Sequence, residues 1–460
     1  MGKSIGLKSL DEGALYVSER KIHPREIDGR FQRLRRLAVF VLLGLFYLAP
    51  WLRWDGRQAV LFDLPARKFY VLGLTFWPQD FIFLALLLVM AGLSLFFFTA
   101  VAGRLWCGYA CPQTVWTEVF VAIEAWCEGD RGARIKLDAA PWTASKWRKR
   151  GLRHAAWAVL ALWTGFTFVG FFTPIPSLGA RTWPFAWSGW ETFWVGFYAL
   201  ATWGNAGVLR EQVCKYMCPY ARFQSAMFDA DTLVIAYDTA RGEPRGARKR
   251  GTEASLSGLG DCIDCTICVQ VCPTGIDIRN GLQYECIACG ACVDACDSVM
   301  DRMGSPRGLV RYTSEAALSG GRRTRLLRPR VLVYAALLLA LSGGTGAALA
   351  LRKPLIVDVL HDKALYRVAD DGTVENAYTL RIINKAAVAH TFVVRLESGS
   401  PLALATPVVL AAAPEEVLTV PVTVRSTGPV TGGHDVRFIV EDARAGLRLA
   451  ERARFHGPSR

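Results

Sequence analysis

Cys262-Ile263-Asp264-Cys265-Thr266-Ile267-Cys268-Val269-Gln270-Val271-Cys272-Pro273 and Cys286-Ile287-Ala288-Cys289-Gly290-Ala291-Cys292-Val293-Asp294-Ala295-Cys296 both read C-x2-C-x2-C-x3-C. Three closely spaced thiolates wrap one corner of an iron–sulfur cube, and in two-cluster bacterial ferredoxins the fourth ligand comes from the other run. The spacing predicts one 4Fe-4S cluster on Cys262, Cys265, Cys268 and Cys296, and a second on Cys286, Cys289, Cys292 and Cys272. Structural zinc uses paired C-x2-4-C ligands, and an extra cysteine in each run is not its pattern. Eight cysteines this close would also make a disulfide staple, but only in an oxidising compartment. Thr266, Ala288, Gly290 and Ala291 are small enough for backbone to wrap a cluster tightly. Asp297 follows Cys296 where proline is usual, a departure from the ferredoxin rule.

Working outward, the chain is too apolar for an ordinary soluble protein. Hydrophobic residues make up 52% of its 460 residues, with 15 Trp and 24 Phe. A spanning helix needs about 20 predominantly apolar residues. Five stretches are expected to span: 37–54, 81–103, 154–173, 190–209 and 331–351. The fourth is the weakest, with Glu191 at its edge and Asn205 inside. Trp51, Trp54, Trp77, Trp106, Trp183, Trp187 and Trp190 crowd the ends, as interface belts do. The net charge of +14 lies beside these stretches and reads as topology, not as nucleic-acid binding. Residues 1–36 are polar, end in Arg30, Arg33, Arg35 and Arg36, and read as a tail with no leader-cleavage pattern. The loop 104–153 carries nine Lys or Arg, and 210–330 carries more, whereas 174–189 has only Arg181. By the positive-inside rule, the N-terminus, 104–153 and 210–330 are expected in the cytoplasm. Residues 352–460 then lie outside, in the periplasm of a Gram-negative cell.

That last stretch has no cysteine and alternates with period two. Phe392, Val394 and Leu396 share one face; Leu418, Val420, Val422 and Val424, then Val436, Phe438 and Val440, then Leu447 and Leu449, repeat the pattern. Short alternating strands in about 105 residues predict an immunoglobulin-like β-sandwich. Pro421 predicts an edge strand. The expected organisation is a cytoplasmic tail (1–36), a four-span membrane domain (37–222), a two-cluster ferredoxin-like domain (223–330), a fifth span (331–351) and a periplasmic sandwich (352–460).

Two further cysteine pairs follow even-numbered spans: Cys107-Gly108-Tyr109-Ala110-Cys111-Pro112 and Cys214-Lys215-Tyr216-Met217-Cys218-Pro219. Both are C-x3-C-P, so the span-plus-motif unit reads as an internal duplication. On a helical turn, residues i and i+4 share a face, and two pairs at one depth could make a four-thiolate site. Soft thiolates suit Cu(I), zinc or an iron–sulfur cluster, and buried structural thiols are the plain alternative. Cys127 has no partner at useful spacing. The six histidines leave no facing pair inside spans for a membrane haem. The basic, Gly-rich stretch Arg241 to Gly260 reads as a solvated linker beside anionic lipid, with docking of an acidic donor as the alternative.

The chain resembles the FixG/RdxA/CcoG family, the membrane ferredoxin-like accessory proteins of cbb-type cytochrome c oxidase. The resemblance is carried by Trp106-Cys107-Gly108-Tyr109-Ala110-Cys111-Pro112-Gln113, Lys215-Tyr216-Met217-Cys218-Pro219-Tyr220, Tyr237-Asp238-Thr239-Ala240-Arg241-Gly242-Glu243-Pro244, Pro273-Thr274-Gly275-Ile276-Asp277 and Leu282-Gln283-Tyr284-Glu285-Cys286. It runs over nearly the whole chain, and Asp297 is expected within it. It implies a multi-pass protein of the bacterial inner membrane with two 4Fe-4S clusters and oxidoreductase chemistry, the reduction of Cu(II) to Cu(I) for oxidase assembly. It also implies that Cys107, Cys111, Cys214 and Cys218 face copper or another metal. The implied partners are membrane lipid, copper ions, the oxidase assembly machinery, and an electron donor that is either cytoplasmic or a quinol. A quinol-linked electron relay, and a non-catalytic assembly factor with structural clusters, remain the alternatives.

Overall fold

The computed structural model describes residues 21–183, 185–250, 258–320, 324–386, 388–442 and 444–458. The chain forms two compact units, Met1–Gly343 and Gly344–Arg460.

Three helices among the described residues are long and apolar enough to cross a membrane: Arg30–Trp51, Pro78–Ala102 and Pro329–Ala350. Their apolar side chains point outward. Phe40, Leu45, Leu88 and Leu339 are each exposed by more than half, and only Thr99 and Ala100 are buried in Phe81–Ala102. Water would oppose that much bare apolar surface, whereas lipid would not. The segments expected at 154–173 and 190–209 are not among these three. The segment expected at 154–173 is the second half of Ala144–Val169, which ends before Gly170 and begins with Lys146, Arg148, Lys149 and Arg150. The segment expected at 190–209 has 14 α-helical residues, Gly189–Thr202, and then widens into a π-helix over Trp203–Leu209. These two helices pack on each other. A Cβ at Gly165 would run into the Val195 carbonyl, so glycine permits the close crossing. Glu191 costs little in this setting: it caps its own helix through Ser188 and pairs with Arg181 at 2.7 Å.

The first span starts earlier than expected because its N-terminus is capped from far away. The Asp294 carboxylate accepts hydrogen bonds from the backbone N–H groups of Phe31 (3.2 Å) and Gln32 (2.8 Å). The preceding residues are not a loose tail: the Arg25 N–H donates to the Gln270 carbonyl at 2.8 Å. Lys21 reaches the buried Glu124 at 2.6 Å, and Arg153 bonds Glu128 at 2.8 Å. Glu124 also pairs with Arg210. Buried carboxylates survive only with such partners.

The ferredoxin-like part adds the helices Ile267–Gln270 and Ala291–Met303 and an antiparallel pair of strands, Val234–Tyr237 with Val310–Thr313. The stretch from Arg241 to Gly260 differs from the expected solvated linker. Residues 251–257 of it lie outside the described residues, but Arg241 pairs with Asp261 at 2.5 Å. Arg248, only 3% exposed in its side chain, donates to Ser305 at 3.0 Å.

The second unit contains a β-sandwich. In one sheet, Val374–Asn384 lies between Val417–Ser426 and Leu355–His361; in the other, His390–Ser398 lies between Val408–Ala412 and Gly433–Asp442, which pairs with Leu447–His456. Tyr378, Leu380 and Ile382 from one sheet meet Phe392, Phe438 and Phe455 from the other in a single core. Pro421 sits in an inner strand of its sheet. Its outer neighbour, Leu402–Leu404, pairs only with Val424–Ser426, so at Pro421 the strand is still a local edge.

Candidate functional site: a thiol-lined relay

The two cysteine runs fold as a pair of matching loops. In each, the residues flanking the second cysteine are left-handed: Asp264 (φ 54°) and Thr266 (φ 56°) around Cys265, Ala288 (φ 52°) and Gly290 (φ 79°) around Cys289. This curls the backbone so that N–H groups face inward, a concavity suited to a negative group. Two cavities result. One is walled by Cys262, Cys265, Cys268 and Cys296, together with Tyr237 and Met300. The other is walled by Cys272, Cys286, Cys289 and Cys292, with Cys268 and Ile278. The thiols around each cavity are the four that the spacing groups together, and their donor chemistry fits two iron–sulfur clusters. Burial pushes the thiols of Cys286 and Cys296 up to about 12 and that of Cys268 up to about 11. Burial thus disfavours the bare thiolates, and metal ligation would offset that cost.

The C-x3-C-P pairs do not share one helical face. Cys107 lies in the short helix Leu105–Tyr109, and Cys111 is the N-cap of Pro112–Glu128, with Pro112 at the first helical position. Cys214 lies in the π-turn Val213–Met217, and Cys218 immediately precedes the helix Pro219–Ala226. Proline starts a new helix well, which explains the invariant order of cysteine then proline in both copies. The duplication extends to the backbone. Gly103 (φ 54°, ψ −117°) and Arg210 (φ 48°, ψ −116°) each stand four residues before the first cysteine. Glycine adopts this conformation freely; arginine does so only under strain.

The four thiols and Arg104 lie within electrostatic reach of one another. Burial pushes Cys214 up to about 12 and also raises Cys107 and Cys111; Arg104 pulls all three back down. Hydrogen bonds from the Gln113 and Thr114 backbone further favour the Cys111 thiolate. Among the described residues, no three Cys, His, Asp or Glu side chains form a set that could hold a single metal ion.

Tertiary contact joins the two kinds of cysteine. A Cβ on Gly108 would lie 2.7 Å from the Ile287 carbonyl and 2.9 Å from the Cys289 Cα. The Tyr109 hydroxyl donates to the Cys289 carbonyl at 3.1 Å, and the Tyr312 hydroxyl to the Ala288 carbonyl at 2.5 Å. Cys107 is buried in one apolar cluster with Cys289, Ile287 and Ala295. Its thiol donates to Gln224 Oε1 at 3.1 Å. Arg104, Gly108, Tyr109, Tyr312 and Gln224 were not singled out by spacing. Gly108 and Tyr109 stood between the two cysteines of the first motif, which was the available signal. Cys127 lies apart from these groups.

Comparison with known proteins agrees with this construction. Residues 209–315 match a family of 4Fe-4S dicluster domains, residues 82–130 a family of 4Fe-4S binding domains, and residues 345–458 the Ig-like fold at the C-terminus of FixG. Nitrogen fixation protein FixG of Rhizobium meliloti is 40% identical over 85% of this chain and 82% of its own length. Proteins RdxB and RdxA of Cereibacter sphaeroides are each 41% identical over 96% of this chain and 98% of theirs. Paired cysteine loops, a thiol turn packed on one of them, three helices apolar enough to cross a membrane and an Ig-like sandwich thus occur together in a membrane iron–sulfur protein of the electron-transfer class, and the chain belongs to the FixG/RdxA/RdxB family.

Proposed function

We propose that the protein reduces Cu(II) to Cu(I) at the C-x3-C-P thiols, for delivery to a cbb-type oxidase. The observation that carries this is the packing of the Cys107–Tyr109 turn against the Ile287–Cys289 loop, with no room for a Cβ at Gly108. When bound, the clusters supply single electrons at low potential, and Cu(II) needs one electron to become Cu(I). Cys107, Cys111, Cys214 and Cys218 provide soft sulfur that favours the Cu(I) product. Arg104 supports thiolate charge, and burial of Cys107 keeps water from the approach. The basic flanks favour a cytoplasmic site, with the sandwich on the opposite side and the helices of 144–169 and 189–209 completing a multi-pass arrangement.

An anaerobic titration tests this. Purified, dithionite-reduced protein should consume the EPR signal of added Cu(II) while cluster absorbance reports reoxidation. The effect should disappear when the four cysteines become serine. Undiminished Cu(II) signal beside fully reduced clusters would end the copper reading. A second reading places an iron–sulfur group at the thiol pairs. The match of residues 82–130, which hold Cys107 and Cys111, to a 4Fe-4S binding family favours it. Iron analysis separates the two: about eight irons per chain for two clusters, about twelve for three.

A further inference from the structure

The two cysteine loops match in shape and differ in surroundings. Ile287 to Ala291 is buried throughout, whereas the corresponding Ile263 to Ile267 is half-buried or exposed. The site of Cys262, Cys265, Cys268 and Cys296 is thus the outer one, and that of Cys272, Cys286, Cys289 and Cys292, against which the Cys107 turn packs, is the inner one. Reduction adds one negative charge to a cluster, and burial disfavours added charge. Burial alone would therefore hold an electron at the outer site, away from the thiol turn.

The fixed charges oppose this. Arg104 is 2% exposed, and its Nη1 donates to the Tyr284 carbonyl, two residues before Cys286. It lies within electrostatic reach of Cys286. Among the described residues, no carboxylate pairs with it. Arg35 is also buried, lies within reach of Cys289, and is paired with Glu118 at 2.7 Å. The outer site has the reverse balance. Arg279, near Cys268, is answered by Asp277 at 2.6 Å and by Asp264, and Asp297 lies near Cys296. Two cations thus stand against one carboxylate at the inner site, and one cation against three carboxylates at the outer. At an effective dielectric of about 20, a unit charge about 10 Å away shifts such an equilibrium by about tenfold or more. That is enough to offset the burial of the inner loop.

We propose that Arg104 is a positioning residue for the electron: its charge raises the potential of the inner cluster, so that an electron entering at the outer cluster moves inward, towards the thiol turn. The outer cluster is oxidised by one electron and the inner one reduced by one; no bond is made or broken. Glu118 acts in the opposite sense through Arg35. This rests on the two-cluster electron-transfer reading and not on copper. An EPR-monitored redox titration of the full chain in detergent, without copper, tests it. The signal that Cys296→Ser disturbs identifies the outer cluster. Arg104→Gln should move the electron's distribution about tenfold towards the outer cluster, a fall of about 59 mV in the inner potential, with the outer potential unchanged. Arg104→Lys keeps the charge and should shift the distribution less than about threefold. Glu118→Gln should move it inward. An unchanged distribution in Arg104→Gln, or equal shifts in the Gln and Lys variants, would overturn the proposal. If the Arg104 variants fail to hold iron, Glu118→Gln decides, and no rise in the inner potential would overturn it. Cu(II) loss is read separately in the unmodified protein, so the copper reading and the role of Arg104 fail independently.

Discussion

Replacing Gly108 with alanine sets two effects of opposite sign against each other. In an open helix, alanine would be favoured over glycine by about 1 kcal/mol. Here the new Cβ would stand 2.7 Å from the Ile287 carbonyl oxygen, 2.9 Å from the Cys289 Cα and 3.0 Å from the Ala288 carbonyl oxygen. All three are backbone atoms, so no side-chain rotation relieves them. The Cys107 turn or the cysteine loop must move by about half an ångström, and overpacking of this kind costs about 1–3 kcal/mol. The net penalty is therefore up to about 2 kcal/mol, which corresponds to up to about a 30-fold shift in a local opening equilibrium. Cys107, 7% exposed, reports that opening directly. Maleimide modification of Cys107 should accelerate by that factor in Gly108→Ala, read by peptide mass spectrometry at constant iron content. Gly44→Ala is the control, since nothing lies within 4 Å of its Cβ. If the two variants protect Cys107 equally, the thiol turn does not rest on the cysteine loop, and the support for electron passage between them goes with it.

Asp294→Ala should lose the remote cap of the first span, a change worth about 0.5–2 kcal/mol, seen as faster hydrogen exchange at the Phe31 and Gln32 amides; unchanged exchange would refute the cap. Glu124 has its pKa lowered from 4.5 to about 2: burial alone would raise it, but Arg210 and then Lys21 outweigh burial. Because the folded value lies below the unfolded one, the stabilisation is present above pH 4.5 and is lost as pH falls towards 2. Proteolytic release of residues 21–29 should therefore rise in that window, and Glu124→Gln, which takes the carboxylate from Arg210 and Lys21, should release them at pH 7, at a cost of about 3–5 kcal/mol. Cys296→Ser should disturb the cluster whose other ligands are Cys262, Cys265 and Cys268, with loss of up to about four irons and a changed EPR signature for that cluster alone. Loss of the other cluster's signal instead would show that the runs do not interlock.

Patterns of short range were legible from residue order. C-x2-C-x2-C-x3-C named both ligand sets, because cluster ligation depends on residue type and on spacing within one loop. Period-two alternation named the sandwich, because side chains of a strand alternate faces whatever the neighbours do. Three of the five expected spans are helices long and apolar enough to cross a membrane. The helices Ala144–Val169 and Gly189–Thr202 bury Trp157, Ala161 and Val195 but expose Val159, Leu162, Phe193 and Leu200, and a window of apolar residues does not say which face meets protein. The i, i+4 reading of C-x3-C-P failed for a local reason: proline in each motif begins a new helix, so its two cysteines belong to different elements.

The sequence alone carried the residue types of this protein's chemistry: eight cysteines in ferredoxin spacing, two duplicated thiol pairs, apolar helices and a terminal sandwich. Only the tertiary structure decided which of these meet. Tyr109 and Cys289 are 180 residues apart, and Phe31 and its capping Asp294 are 263 apart. Contacts at such separations carry no periodicity or motif, because they arise from the shapes of surfaces that exist only after each element has folded.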